Sequence, residues 1–240
     1  MTSSSSLRAT TAPAIDEKRR LFLIWQNPDT RQFVRVGVLI ELVDGRYVFE
    51  YTSGTSAEGF YPLVQFPDVS KTYVSEALPA FFVNRLMSKR RASYPAYLTA
   101  IGLDAPELDT PMELLARTGG PRVTDTFHLV DDLSFHENGV VVSRFLASGV
   151  RHVEGATDAL SRIRQGDRLQ LRADDTNPVN KRAQLVCGAT GEALGYVPDW
   201  LLDDLHALLE RANEHCVIAE RVNPTAHPHL RLLCRIEAHV

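Results

Sequence analysis

The chain is poor in cysteine and has no long apolar run. Three of its 240 residues are cysteines, Cys187, Cys216 and Cys234, widely spaced and with no CxxC pair. Such spacing excludes a disulfide framework. The odd count, with no secretory leader in view, leads to the expectation of reduced thiols in a cytoplasmic protein. Cys187 and Cys234 lie inside apolar runs, where a free thiol packs as a small hydrophobe. No apolar stretch approaches the roughly 20 residues that a membrane-spanning helix needs.

The common catalytic signatures are missing as well. There is no GxxxxGK[ST] or GxGxxG loop to cradle phosphates, no HExxH and no GxSxG. His227, His229, His239 and Cys234 lack the compact paired spacing of a structural zinc site. Acidic pairs stand at 131–132, 174–175 and 203–204. Adjacent side chains point different ways on a strand or helix, so each pair reads as a turn or solvated face. A catalytic set assembled in space is invisible to motif reading. The expectation is a non-enzymatic binding protein without a cofactor or metal.

What the chain does have is material for a core. Apolar residues make up 44% and charged residues 23%, so burial can stabilise the fold without staples. The net charge of −4 argues against a strongly basic nucleic-acid binder, but charge is segregated. Residues 144–182 hold eight Arg or Lys against five acids, and residues 199–214 hold five acids against one Arg. A local basic face attracts phosphate even when the average is acidic.

Residues 1–20 are rich in Ser, Thr and Ala and end in "DEKRR", which predicts a disordered tail. Residues 21–52 predict a β-meander: Leu21–Trp25, Phe33–Glu41 and Arg46–Tyr51, separated by "NPD" and "DG" turns. "SGTSAEGF" at 53–60 is a loop. From 75 to 103 the period becomes helical, through Leu78, Phe81, Phe82, Arg85 and Leu86 and again through Tyr94, Tyr97, Leu98 and Ile101. Ser75 and Ser93 are candidate N-caps. "TPMELLARTGG" predicts a third helix, capped by Thr110, with Pro111 in its first turn and Gly119-Gly120 at its end. A boundary falls between Leu129 and Gly139. Beyond it the expectations are strands at Val140–Ser148, near Arg168–Arg172, at Gln184–Cys187 and at Ala193–Val197. A short helix is expected at Ala156–Ile163 and an amphipathic one over 198–212, then two last strands, Cys216–Val222 and Leu230–Ala238. The fold class is α+β, in two domains, 21–130 and 140–240.

Two resemblances follow from particular stretches. "VGVLIE…DGRYVFEYT", "ALPAFFVNRLMSKRR" and "LLARTGG…TDT" resemble the N-terminal subdomain of HipA-type kinases, over about 21–128. The kinase core is absent, so the resemblance implies a detached accessory subdomain and regulatory contacts, not catalysis. "SGVRHV" (148–153), "GDRLQL" (166–171), "NPVNKRAQL" (177–185) and "GEALGYVP" (191–198) resemble the HIRAN domain in order and spacing. That resemblance implies a small modified β-barrel related to OB and SH3 barrels, and recognition of single-stranded DNA or DNA 3′ ends. The family's pocket uses a strand with G-x-R-aromatic and the Tyr-Asp of N-P-Y-D. Carried across, Arg151 matches the Arg and His152 the aromatic, while Val179 stands in place of the Tyr and Asn180 in place of the Asp. Val179 cannot stack on a base, and Asn180 accepts a hydrogen bond without charge.

The expected DNA-binding residues are therefore Arg151, His152, Asn177, Val179, Asn180, Lys181 and Arg182. Other readings remain open at these positions: a surface ion pair for Arg151, a half-buried residue for His152, turn chemistry for Asn177 and Asn180. The alternative function is a regulatory or adaptor protein, antitoxin-like, that binds a HipA-type kinase or another protein. Phe81, Phe82 and Leu86 would then form a contact face, with ordinary core packing as the competing reading.

Overall fold

The computed structural model describes residues 17–104, 110–133 and 139–240. Its first sheet is built from β1 (Glu17–Gln26), β2 (Phe33–Leu42), β3 (Tyr47–Tyr51), β4 (Tyr73–Ser75) and β5 (Phe127–Asp131), in the order β4-β3-β2-β1-β5. Every pairing is antiparallel. The turns are those the sequence calls for. Asn27 Oδ1 accepts from the backbone N–H of Asp29 and Thr30, and Gly45 takes φ 89° after Asp44.

The run "LFLIW" in β1 does not alternate with polar residues, which is the pattern of a strand covered on both faces. Leu21, Leu23 and Trp25 join one core with Phe49, Phe82, Met112 and Leu115. Ile24, with Val130 of β5, joins a different core, which it shares with the C-terminal half.

The strand begins at Glu17, inside the segment assigned to a tail, while residues 1–16 lie outside the described residues. The physical reason is charge pairing at a distance. Arg19 donates to Glu113 and, at 2.9 and 3.0 Å, to Asp131, and Lys18 reaches Glu41 at 2.9 Å.

The helical period of 75–103 resolves into two short pieces, α1 (Ala80–Val83) and α2 (Tyr94–Ala100). Pro79 keeps the preceding residue out of the helical region, so Ser75 is not a cap. It ends β4, and its hydroxyl donates to the carbonyl of Ala77. Ser93 precedes α2 but makes no side-chain cap bond. The third helix, α3 (Pro111–Thr118), has its expected ends: Thr110 Oγ1 accepts from Glu113 N, and Gly119 closes it at φ 72°. Phe82 is fully buried, in contact with Phe49, Phe66 and Phe81. Phe81 and Leu86 pack against the same core. Phe82 is therefore core, while Phe81 and Leu86 are half-buried at its edge, where they close the aromatic cluster of the first sheet.

The chain leaves the first sheet at Asp131 and enters the second at Val140. The second contains β6 (Val140–Leu146), β7 (Arg168–Ala173), β8 (Gln184–Cys187), β9 (Ala193–Tyr196), β10 (Glu214–Val222) and β11 (Leu232–His239), in the order β6-β11-β10-β7-β8-β9. Its edges meet. Just past β6, Ser148 exchanges backbone hydrogen bonds of 2.8 Å in both directions with Tyr196 of β9, and the sheet curls into a small barrel. Gly195 permits that seam. A Cβ there would sit 2.9 Å from the Ser148 carbonyl oxygen. Helices α4 (Ala156–Leu160) and α5 (Leu202–Arg211) bury Leu160, Leu205 and Leu208 in the barrel core. Cys187 and Cys234 are buried thiols and Cys216 is half-buried.

The two halves share a continuous interface. Arg35 pairs with Asp204 at 2.5 Å, and Arg221 with Asp104 at 2.9 Å. Glu220 accepts from Arg144 at 2.8 Å and lies 3.4 Å from Arg117 of α3.

Candidate functional site

The loops that carry the expected binding residues gather at the barrel seam. Gly149, at φ 65°, turns the chain out of β6 into a 3-10 turn, Val150–His152. The "SGVRHV" stretch is thus a tight turn, not the strand the resemblance implied. The seam takes up Ser148, and the left-handed glycine leaves no extended chain beyond it. Arg151 and His152 are exposed, and Arg151 Nε donates to His152 Nε2 at 2.9 Å. That bond requires the accepting ring nitrogen to be unprotonated.

On the other side of the seam, Asn177 folds its loop. Its Oδ1 accepts from Val179 N at 3.0 Å and from Asn180 N at 3.1 Å, an Asx turn. Asn180 is occupied at both ends of its amide: Nδ2 donates to Asp199 at 3.1 Å, and Oδ1 accepts from Arg182 N at 2.9 Å. Arg182 is exposed and pairs with Asp203 at 2.5 Å. Val179 is 79% exposed, and Lys181 is exposed. Asn177 and Asn180 therefore shape the loop, while Lys181 and Val179 face solvent.

Tyr196 joins the two groups. Its backbone pairs with Ser148, its ring lies against Gly149, and its hydroxyl donates to Asp174 Oδ2 at 2.9 Å. Asp174 also accepts from Thr176 at 2.7 Å and from Asn177 at 3.4 Å. The hydrogen bonds from Thr176 and Tyr196 hold its carboxyl below the usual carboxylate range. Burial, then the bond to that carboxylate, pushes the Tyr196 hydroxyl up. Sequence reading missed both residues. "GYVP" marked the start of a helix rather than a binding aromatic, and "DD" at 174–175 read as a solvated turn.

A second missed pair is His227 and His229, whose rings stack with centroids 5.3 Å apart. Burial first, then His227 and Arg151, lower the His229 pKa. The Pro228–Leu230 turn, which holds His229, packs against the Val150–His152 turn that holds Arg151. Together the seam offers the Asp174 carboxylate, exposed cations in Arg151 and Lys181, and ring faces from His152, Tyr196 and the histidine pair. Such a set can hold a phosphate, a planar ring and a hydroxyl.

The match to a known family falls on the same region. Residues 140–240 match the HIRAN domain. Two solved structures also align: a protein from Lactobacillus plantarum, 17% identical, over 42% of this chain and 90% of that one, with a TM-score of 0.34. The other is the HIRAN domain of human HLTF, 16% identical, over 42% of this chain and 74% of that one, with a TM-score of 0.32. No curated protein matches the chain. The barrel, its seam and the loops around Tyr196 all lie inside the HIRAN region, and the first sheet lies outside it.

Proposed function

We propose that this protein is a binding module for single-stranded nucleic acid, DNA ends in particular, acting through its HIRAN region and without catalysis. The observation that carries the reading is that the turn bearing Arg151 and His152 is joined to Tyr196 through Ser148 and Gly149, while the Tyr196 hydroxyl is joined to Asp174. Arg151 and Lys181 meet phosphate. His152 and Tyr196 supply faces on which bases stack, a contact worth roughly 1–3 kcal/mol per base.

Asp174 takes the part of the missing family Asp. It is a carboxylate in reach of the seam. Its oxygens already accept from Thr176, Asn177 and Tyr196, so a terminal hydroxyl takes the place of one of these donors, and what it has over the equally committed amide of Asn180 is its charge. A charged acceptor holds a terminal hydroxyl more strongly than a neutral one. The substitution of Asn for Asp at 180 thus removes less function than the motif alone suggests. For the adaptor reading, with a HipA-type kinase as partner, Phe82 is fully buried, and only the half-buried Phe81 and Leu86 are left to make a contact.

The test is fluorescence anisotropy of the full chain with labelled single strands carrying a free 3′-hydroxyl, beside a blunt duplex. The expected result is preference for the single strand. Its affinity should fall with salt at a slope of about −0.7 in log–log terms for each phosphate contacted. Equal affinity for the duplex, or no binding at low salt, overturns the reading.

A further inference from the structure

Between the two halves runs a cleft of about 1180 Å³. It is slightly larger than the roughly 300–1,000 Å³ of a small-molecule pocket. One wall is the segment after α1, α2, the end of α3 with the loop after it, and β5. The other is β6, the stretch at Pro198–Leu201 and the loop at 226–230.

Its charge is one-sided. Among the described residues, five arginines and two histidines line it against a single carboxylate, Asp131. Most of that charge is already answered. Arg85 is tied to Asp125, Arg117 and Arg144 to Glu220, and Asp131 to Arg19. Arg91 and Arg122 differ. Both are exposed, and among the described residues neither makes an ion pair. Two uncompensated guanidinium groups in a groove call for an anionic ligand.

The groove also reaches the seam. Its lining includes Ser148, Pro198, His227 and His229. Ser148 is bonded to Tyr196, and His229 lies beside Arg151. The cleft therefore opens at the rim of the seam site, and Trp200 and Tyr97 give it aromatic surface along the way.

We propose that the cleft is the track for the rest of the strand: single-stranded nucleic acid held at the seam runs between the halves, with its backbone phosphates on Arg91 and Arg122. The first sheet and its helices then supply half of the binding surface. This rests on the seam reading above, and the experiment separates the two. The full chain is titrated with labelled oligothymidylates of 4 and 16 nucleotides, each with a free 3′-hydroxyl. The double variant Arg91→Glu/Arg122→Glu is run beside it. Both positions are exposed, so the fold tolerates the change.

The long strand is expected to bind the wild type at least tenfold more tightly than the short one. The variant should lose that gain, keep the affinity for the short strand, and show a salt slope shallower by about 1.4, or 0.7 for each of two phosphates. Equal affinity of the wild type for both lengths overturns the track while leaving recognition at the seam intact. So does a variant that weakens both strands alike. Absence of binding to either strand overturns the seam reading, and the track with it.

Discussion

The ring of His128 lies flat on the indole of Trp200, with centroids 4.2 Å apart and planes within 4°. His128 belongs to β5 of the first sheet, and Trp200 follows the "GYVP" of the second, so one stacked pair bridges the halves. Gly119 at the end of α3 lies under the same indole. The pair anchors one wall of the cleft to the other.

Trp200→Ala removes that anchor from a partly buried site. A loss of about 2–3 kcal/mol is expected, below the 3–5 of a fully buried Trp. The remaining tryptophan, Trp25, reports on the first sheet alone, whereas far-UV circular dichroism reports on both. Because Ile24 and Val130 share a core with the barrel, the two signals should unfold together in urea. Separate transitions would show that the halves are energetically independent.

Burial, and then the nearby Arg85 guanidinium, lower the His128 pKa to about 4, while Asp125 opposes the shift. The folded value lies below the ordinary 6.5, so the unfolded chain binds more protons between the two. The stability that this group contributes is complete above pH 6.5 and is lost as pH falls toward 4. The full shift corresponds to about 3 kcal/mol, reduced by partial exposure. His128→Phe keeps the stack and should flatten the decline in urea midpoint across that window. An unchanged slope in the variant assigns the decline to other groups.

Arg19 answers two carboxylates, Glu113 and Asp131. Arg19→Met keeps much of the packing and leaves Asp131 without its cation. The expected cost is about 2–3 kcal/mol, because the pair is partly open to water rather than fully enclosed. A stability within 0.5 kcal/mol of wild type, roughly the scatter of surface substitutions, would place Glu17–Arg20 outside the cooperative fold.

Gly195→Ala places a methyl group 2.9 Å from the Ser148 carbonyl oxygen, at φ 157°. Something must move, and the seam is what can open. A loss of about 1–3 kcal/mol is expected. Tyr196 would be displaced with it, so nucleic-acid affinity should fall as well. Stability and affinity both unchanged would mean that the seam is not what positions Tyr196.

Local patterns were readable where the chemistry is local. The β1–β3 meander, the capped helix after Thr110 and the turn at Asn177 follow from residues within a few positions of one another. β5 was not readable. Its five residues, "FHLVD", become a strand because β1 pairs with them about 100 residues away. The start of β1 at Glu17 has the same origin, in Arg19 reaching Asp131. The site divides likewise. Arg151 and His152 came from a motif, whereas the link between Tyr196 and Asp174 spans 22 positions and exists only once the barrel closes.

The central claim is that Arg151 and its neighbours hold the end of a single strand. It is tested most directly by anisotropy with two single strands, one ending in a 3′-hydroxyl and one in a 3′-phosphate, for wild type and Arg151→Ala. The account predicts that the wild type prefers the hydroxyl, since Asp174 accepts its hydrogen bond and repels a terminal phosphate, and that the variant binds both weakly. Equal binding of the two strands by the wild type, or an Arg151→Ala variant that binds as well as the parent, would contradict it.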